Sequence, residues 1–183
     1  MSDKHIILGI DPGTIVMGYG LILISGKDLS LIQMGVLRLQ KIADPFERLG
    51  KIYQRIDAII EEFKPNEVAI EAPFFGKNVQ SMLKLGRAQG VALASAFNRG
   101  IPVFEYSPRK IKQSITGNGN ASKEQVAMMV KNILKFDEAP AFLDATDGIA
   151  AALCHYFQTS RPSVAPGVKS WEEFIRKNPG RVH

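Results

Sequence analysis

Acidic residues end two strand-like segments of this sequence and open a helical one. A first apolar run, residues 5–10, ends at Asp11, and a later apolar run ends at Glu71. Asp144 and Asp147 stand three positions apart at the start of an Ala-rich helical segment, so both can face one side of the helix. A side chain that ends a strand can face a cleft while its neighbours stay in the core. Four carboxylates from three distant segments are therefore candidates for one site.

Such a cluster of carboxylates is suited to binding a hard divalent cation. Ionised carboxylates held close together repel one another and need a compensating charge. Oxygen ligands favour Mg²⁺ above all, and Mg²⁺ assists phosphoryl chemistry. Three of the acids also have ordinary structural explanations: Asp11 begins a turn, Asp144 caps a helix, and Asp147 answers the helix dipole. Glu71 is harder to explain in this way, because Glu is a poor strand former.

The composition is typical of one globular domain with anionic partners. The chain has 183 residues, of which 45% are hydrophobic and 22% charged, with a net charge of +5 and a pI near 9.4. The basic balance favours anionic partners but does not identify them. The single cysteine, Cys154, excludes an internal disulfide and is expected in the core. No run reaches the ~18 apolar residues of a membrane span, so a cytoplasmic protein without membrane contact is expected.

Periodicity and turn signals predict an α/β domain with a mixed sheet. Strands are expected at residues 5–10, 18–25, 29–39, 68–71 and 102–106, and helices at 45–63, 78–98, 108–116, 122–135 and 144–157. Short connections join the first three strands, which indicates an antiparallel meander. Residues 1–157 are expected to form the domain. The basic segment 158–183, with three Pro and two Gly, is expected to be a tail that is partly ordered at most.

The turn that follows Asp11 allows a second interpretation, a phosphate loop like that of sugar kinases and actin-like ATPases. Those proteins close a second lobe over the nucleotide, and 183 residues leave no room for one. The sequence also lacks a Walker-type glycine-rich loop with its lysine. The acidic cluster is therefore the favoured interpretation.

The residues around the acids match a known family. The chain resembles the RuvC-type Holliday-junction resolvases, or crossover junction endodeoxyribonucleases, which belong to the RNase H-like superfamily. The matching stretches follow the family order, at residues 7–13, 18–20, 69–71, 77–78, 83–86, 102–106 and 144–147. The resemblance implies an RNase H-like fold: a five-stranded mixed sheet, its first three strands antiparallel, with helices on both faces. It also implies a homodimer that cuts four-way DNA junctions with Mg²⁺.

The resemblance gives the four acids a common role. Asp11, Glu71, Asp144 and Asp147 fall on the catalytic, metal-binding positions of the family. Two Mg²⁺ ions per active site are expected, about 3.5–4 Å apart in sites of this class, and Mn²⁺ is an expected substitute. Asp11 would be shared between the ions, Glu71 would complete one position, and Asp144 with Asp147 the other. The implied products carry 5′-phosphate and 3′-hydroxyl ends.

Five further residues are expected to bind DNA. By resemblance, Phe74 stacks on an unpaired base near the crossover, with Phe75 as a helper and Lys77 beside them. Lys112 and Lys123 match basic residues near the scissile phosphate. Six Lys or Arg and one acid lie between residues 109 and 135, which suits contact with a phosphate backbone. The structural alternatives are that the aromatic pair belongs to the core and that the basic run is a solvated helix face.

Small residues suggest where two subunits meet. Gly86, Gly90 and Ala94 recur every four residues in the predicted helix 78–98, which permits close approach of another helix. Packing within the subunit explains the spacing equally well. A four-way junction has approximate two-fold symmetry, and paired cuts need two sites related by a two-fold axis. The resemblance also implies a RuvA–RuvB-type branch-migration complex as partner.

Three functions remain open from the sequence. The first is a junction-resolving nuclease, and the second is an RNase H-fold nuclease that acts on another structure, such as an RNA–DNA hybrid. The third is a non-catalytic junction-binding module. The four acids argue against the third, since a binding module has no need of them.

Overall fold

Five strands form one mixed sheet in the computed structural model, which describes residues 4–73, 78–136 and 143–160. The strands are β1 (Lys4–Asp11), β2 (Val16–Ser25), β3 (Asp28–Arg38), β4 (Glu67–Glu71) and β5 (Val103–Tyr106), in the order β3-β2-β1-β4-β5. The first three strands are antiparallel, and β4 and β5 join β1 in parallel. The predicted meander and the predicted mixed sheet are confirmed.

Five helices begin at the signals that the sequence contains. They are α1 (Pro45–Phe63), α2 (Val79–Asn98), α3 (Pro108–Thr116), α4 (Lys123–Leu134) and α5 (Leu143–Thr159). Asp44 and Ser107 accept hydrogen bonds from the first turns of α1 and α3, and each precedes a proline at the first helical position. Helix α5 runs two residues further than predicted, into the expected tail. Residues 161–183 of that tail lie outside the described residues.

The helices cover both faces of the sheet, as expected. On one face Leu8 and Ile10 of β1 pack with α1 and α2. On the other face Ile7 packs with α3, α4 and α5. Because successive side chains alternate, Asp11 lies on the same face as Ile7, toward α5. By the same alternation Glu71 shares the α5 face with buried Ala69.

Glycines let α5 lie directly on the strands that carry the acids. A Cβ atom at Gly18 of β2 would stand 1.9 Å from the carbonyl oxygen of Asp144, and one at Gly9 would stand 2.0 Å from that of Gly148. Gly18 is also the register partner of Asp11. Because these glycines have no side chains, the start of α5 can pack directly against the end of β1.

Among the residues that the structure describes, none of the helices is long and apolar enough to cross a membrane.

Candidate active site

A cavity of about 210 Å³ opens where β1 and β4 end beside α3, α4 and α5. Three of the predicted acids line it, namely Asp11, Glu71 and Asp147, and so do Lys112 and Lys123. The aliphatic part of the lining is Pro108, Ile111, Val126 and Ala150. Residues that are far apart in the sequence therefore meet in one pocket, as the acid pattern predicts.

Asp144, the fourth acid, joins this group through Lys123. The ammonium of Lys123 donates to Oδ2 of Asp147 at 2.7 Å and lies 3.4 Å from Oδ1 of Asp144. One cation contacts both carboxylates, so the two acids share a face of α5, as their spacing predicts. Asp144 is the more exposed of the two, with 43% of its side chain accessible against 14% for Asp147.

Asp11 stands in an environment that disfavours its charge. Burial raises the pKa of the Asp11 carboxyl well above its ordinary value, and the charges of Glu71, Asp147 and Asp144 raise it further. The charge of Lys123 opposes this shift without cancelling it. The pocket and its edge bring together four carboxyl groups, those of Asp11, Glu71, Asp144 and Asp147, against the two lysines Lys112 and Lys123.

The pKa values of Glu71 and Lys123 are both raised, which favours the neutral form of the acid and the charged form of the lysine. Burial, followed by the charge of Asp147, raises the pKa of Glu71 to about 7, against the lowering effect of Lys123 and Lys112. Burial lowers the pKa of Lys123, but its hydrogen bond to Asp147 and the charges of three acids raise it above its ordinary value overall. A group of acids with such shifts is characteristic of a functional site.

The donor set fits a hard divalent cation. It consists of carboxylate oxygens around a pocket whose charge is undercompensated, which is the environment that Mg²⁺ and similar ions prefer. Within residues 4–73, 78–136 and 143–160, no three side chains of His, Cys, Asp or Glu already stand in a metal-binding arrangement. The Lys123 ammonium contacts both Asp144 and Asp147 instead.

Comparison with known proteins identifies the family. Residues 7–155 match the family described as crossover junction endodeoxyribonuclease RuvC. The chain belongs to the RuvC family. The match spans β1 to α5 and includes all four acids. A RuvC from Cytophaga hutchinsonii is 60% identical over 97% of this chain and 88% of its own, and one from Bacteroides fragilis is 56% identical over 98% and 96%.

Solved RuvC structures have the same fold. Thermus thermophilus RuvC in complex with a Holliday junction substrate superposes with a TM-score of 0.79 at 36% identity, covering 85% of this chain and 94% of that one. The yeast mitochondrial Holliday junction resolvase Ydc2 superposes with a TM-score of 0.60 at 15% identity, covering 84% and 80%. At that identity the likeness to Ydc2 concerns the fold alone.

The structure does not test the predicted DNA contacts of three residues, and it places the predicted dimer residues on α2. Phe74, Phe75 and Lys77 lie outside the described residues, so their expected DNA contacts stay predictions. Gly86, Gly90 and Ala94 lie along the outer side of α2, away from the buried face that Ala88, Gln89, Ala92, Ser95 and Ala96 form. Apart from the backbone of α2 itself, no atom of the described residues comes within 4 Å of a Cβ built at Gly86 or Gly90. Packing against the described residues therefore does not explain these two glycines.

A polar network around the buried His155, at the opposite end of β4, was not predicted. His155 of α5 is fully buried, with Nε2 2.9 Å from Oε2 of Glu67 and Nδ1 2.7 Å from the Tyr106 hydroxyl. His5 lies 2.8 Å from the same Glu67 oxygen. Glu67 and Glu71 share one face of β4, so the network connects α5 to the strand that presents Glu71. Only the apolar surroundings of His155 could have indicated this network, because its partners are distant in the chain.

Proposed function

We propose that this protein is a structure-selective endodeoxyribonuclease that resolves four-way (Holliday) DNA junctions by paired, metal-dependent nicks, in homologous recombination and DNA repair. The observation that supports this most is the pocket where Asp11, Glu71 and Asp147 meet beside two lysines. The relatives named crossover junction endodeoxyribonuclease RuvC cover almost the whole chain, which supports the same substrate and reaction.

Asp11, Glu71, Asp144 and Asp147 would hold the cofactor, Mg²⁺, with Mn²⁺ as a substitute. Bound there, Mg²⁺ lowers the pKa of water and stabilises negative charge on phosphate oxygens. The fold positions the four acids. The neighbouring strands β1 and β4 carry Asp11 and Glu71, and the first turns of α5 carry Asp144 and Asp147. Because these elements pack backbone to backbone, the carboxylates hold their places before substrate arrives.

Lys112 and Lys123 would face the scissile phosphate. Both line the acidic pocket, from the separate helices α3 and α4. An ammonium near a phosphate undergoing attack offsets the charge that grows in the transition state. The products of this reaction would carry 5′-phosphate and 3′-hydroxyl ends.

A second surface suits the DNA arms. A larger cavity of about 330 Å³ lies between the turn after β1 and helices α1 and α2, and Arg48, Lys84 and Arg87 line it. Lys84 and Arg87 are exposed. Cations beside the turn that follows Asp11 would bind the phosphate backbone and position the strand without reading its sequence.

The outer face of α2 supports a homodimer. Val79, Leu83 and Phe97 are exposed to 63%, 53% and 62% there, although their side chains are apolar. Together with Gly86, Gly90 and Ala94 they form a stripe along one side of the helix, at positions 79, 83, 86, 90, 94 and 97. A second copy of the chain would cover this stripe, and a two-fold axis there would give the paired sites that a junction needs.

Gly90→Glu should separate the dimer without unfolding the subunit. The substitution places a charged side chain on the proposed interface, in space that the described residues of the subunit leave open. We expect wild type to sediment as a dimer at micromolar concentration and the variant as a monomer. Gly50→Glu, on the open side of α1, is the matched control and should leave the dimer intact. A wild-type protein that sediments only as monomer without DNA would contradict the homodimer.

The raised pKa of Glu71 predicts that Mg²⁺ binding depends on pH. The folded-state pKa of about 7 lies above the ordinary 4.5, so the neutral carboxyl stabilises the metal-free fold. That contribution is complete below about pH 4.5 and is lost as pH rises through about 7. Mg²⁺ needs the ionised carboxylate, so the increase in melting temperature that Mg²⁺ produces should be larger at about pH 8 than at about pH 6.

Differential scanning calorimetry with and without Mg²⁺ measures this difference. Glu71→Gln removes one titrating ligand and should reduce both the Mg²⁺ effect and its pH dependence. An equal Mg²⁺ effect at both pH values in wild type would mean that no raised carboxyl pKa is linked to the metal.

Cleavage of defined substrates tests the proposed function. Purified protein is incubated with a synthetic four-way junction, a linear duplex and an RNA–DNA hybrid, each with Mg²⁺ or with chelator. We expect paired nicks in the junction alone, and only with Mg²⁺. Preferential cleavage of the hybrid would indicate the alternative RNase H-fold nuclease, and junction binding without cleavage would indicate a binding module.

The cellular setting follows from this activity. A resolvase acts on junctions that a branch-migration motor moves, so a RuvA–RuvB-type complex is the proposed protein partner. The proposed location is the cytoplasm, where a bacterial chromosome is accessible.

A further inference from the structure

Lys123 already compensates part of the charge in the candidate active site. Its Nζ atom lies 2.7 Å from Oδ2 of Asp147 and 3.4 Å from Oδ1 of Asp144. We propose that Lys123 is a resident counter-ion of these two acids, and that Mg²⁺ binds them fully only when a DNA phosphate draws the ammonium away. This inference rests on the proposed function, because it takes both carboxylates as ligands of the metal.

The ammonium and a divalent cation exclude each other at these carboxylates. Mg²⁺ binds oxygen ligands at about 2.0–2.1 Å with near-ideal octahedral geometry. The Lys123 nitrogen stands within hydrogen-bond distance of an Asp147 oxygen that such an ion would use. Two cations only a few ångströms apart also repel strongly in a partly buried pocket. Binding of Mg²⁺ to Asp144 and Asp147 therefore requires Lys123 to move.

Lys123 has both the freedom to move and a new partner to move to. Its side chain is 53% exposed, so it can leave the acids without disturbing the core. Withdrawal into water alone would leave the pocket with a larger excess of negative charge. A phosphate oxygen of the DNA would be an anionic partner for the ammonium, and the two carboxylates would then be free to bind the metal. Metal and DNA binding would then strengthen each other reciprocally.

The position of Lys123 in α4 supports a functional role. It is the first residue of the helix, where the helix dipole disfavours a positive charge. The preceding Ser122 forms a capping box with Gln125, with hydrogen bonds of 2.9 and 3.3 Å that fix the backbone beside Lys123. A cationic residue whose backbone is fixed at an unfavourable helical position is the kind of local cost that functional sites retain.

Titration calorimetry with Mg²⁺ alone, on DNA-free protein, tests the proposal. Lys123→Met removes the ammonium while keeping a long flexible side chain. We expect it to bind Mg²⁺ at least about tenfold more tightly than wild type, or with one more ion per chain. Lys123→Arg keeps the positive charge and should bind Mg²⁺ as weakly as wild type. Asp147→Asn, which removes a ligand, should instead weaken Mg²⁺ binding.

Lys112→Met is the matched control for general electrostatics. Lys112 lines the same pocket, and its charge acts on Glu71, so its loss should strengthen Mg²⁺ binding by less than about threefold. An unchanged or weaker affinity in Lys123→Met, or an equal gain in both variants, would overturn the proposal. Lys123→Gln gives the same comparison if the methionine variant does not fold. Junction cleavage by wild type is scored separately, so a failure here leaves the proposed function standing.

Discussion

Asp11→Asn should abolish junction cleavage while leaving junction binding unchanged or tighter. Burial raises the pKa of Asp11, and the charges of the other three acids raise it further. Asparagine keeps the shape of the side chain but removes the charge that would hold metal. Metal ions contribute several kcal/mol to such reactions, so the cleavage rate should fall by at least about a thousandfold, or about 4 kcal/mol.

Two measurements separate this effect from misfolding. Single-turnover cleavage of a labelled junction in Mg²⁺ gives the rate, and fluorescence anisotropy without metal gives junction affinity. The melting temperature should rise, because one of four mutually repelling acids is neutralised. Asp57→Asn is the control: it removes an acid whose partner is Arg99, 3.0 Å away between α1 and the end of α2, and should leave cleavage intact. Full cleavage by Asp11→Asn would refute the assignment of Asp11.

Gly18→Ala should both destabilise the protein and weaken its metal site. The added methyl group would stand 1.9 Å from the carbonyl oxygen of Asp144, so α5 must shift away from β2. Backbone atoms on both sides leave no flexible side chain to yield, and overpacking of this kind costs about 3 kcal/mol. Because Gly18 is the register partner of Asp11, the shift increases the separation of Asp144 from Asp11.

Gly50→Ala is the matched control for this substitution. Gly50 lies in α1, and no atom of the described residues comes within 4 Å of a Cβ at this position. Alanine is the better helix former, so the free energy of unfolding should rise by about 0.5–1 kcal/mol. Chemical denaturation gives both stabilities, and calorimetry gives Mg²⁺ affinity. Wild-type stability and Mg²⁺ affinity in Gly18→Ala would mean that the close contact does not position the acids.

Local signals explain why the fold could be predicted from the sequence. Asp44 and Ser107 precede prolines and start helices, and Ser122 with Gln125 forms a capping box at the start of α4. These signals act within one turn of helix, so a single sequence contains them in full. The sheet followed from short connections between its first strands and from its apolar runs.

The acids were predictable for a similar reason, but their surroundings were not. Asp11 and Glu71 end apolar strands, which is visible in the sequence alone. The ion pair between Lys123 and Asp147 joins residues 24 apart, and the bond between Glu67 and His155 joins residues 88 apart. Pairings of this kind depend on how helices pack over the sheet, and a single sequence does not contain that information.

The contact between Gly18 of the sheet and α5 could not be predicted from the sequence either. Gly18 reads as part of a strand, where glycine is usually a weakness. Only the packed structure reveals that a helix backbone occupies the space of its side chain. The closeness of Asp144 to the end of β1 therefore had to be observed.

Anomalous diffraction from crystals grown with Mn²⁺ would show whether the acids from β1, β4 and α5 converge to hold divalent cations. We predict anomalous peaks in the pocket between Asp11, Glu71 and the Asp144–Asp147 pair, with the Lys123 ammonium displaced wherever both helical acids bind metal. Crystals that bind Mn²⁺ only at other positions, with these carboxylates unliganded, would contradict the account.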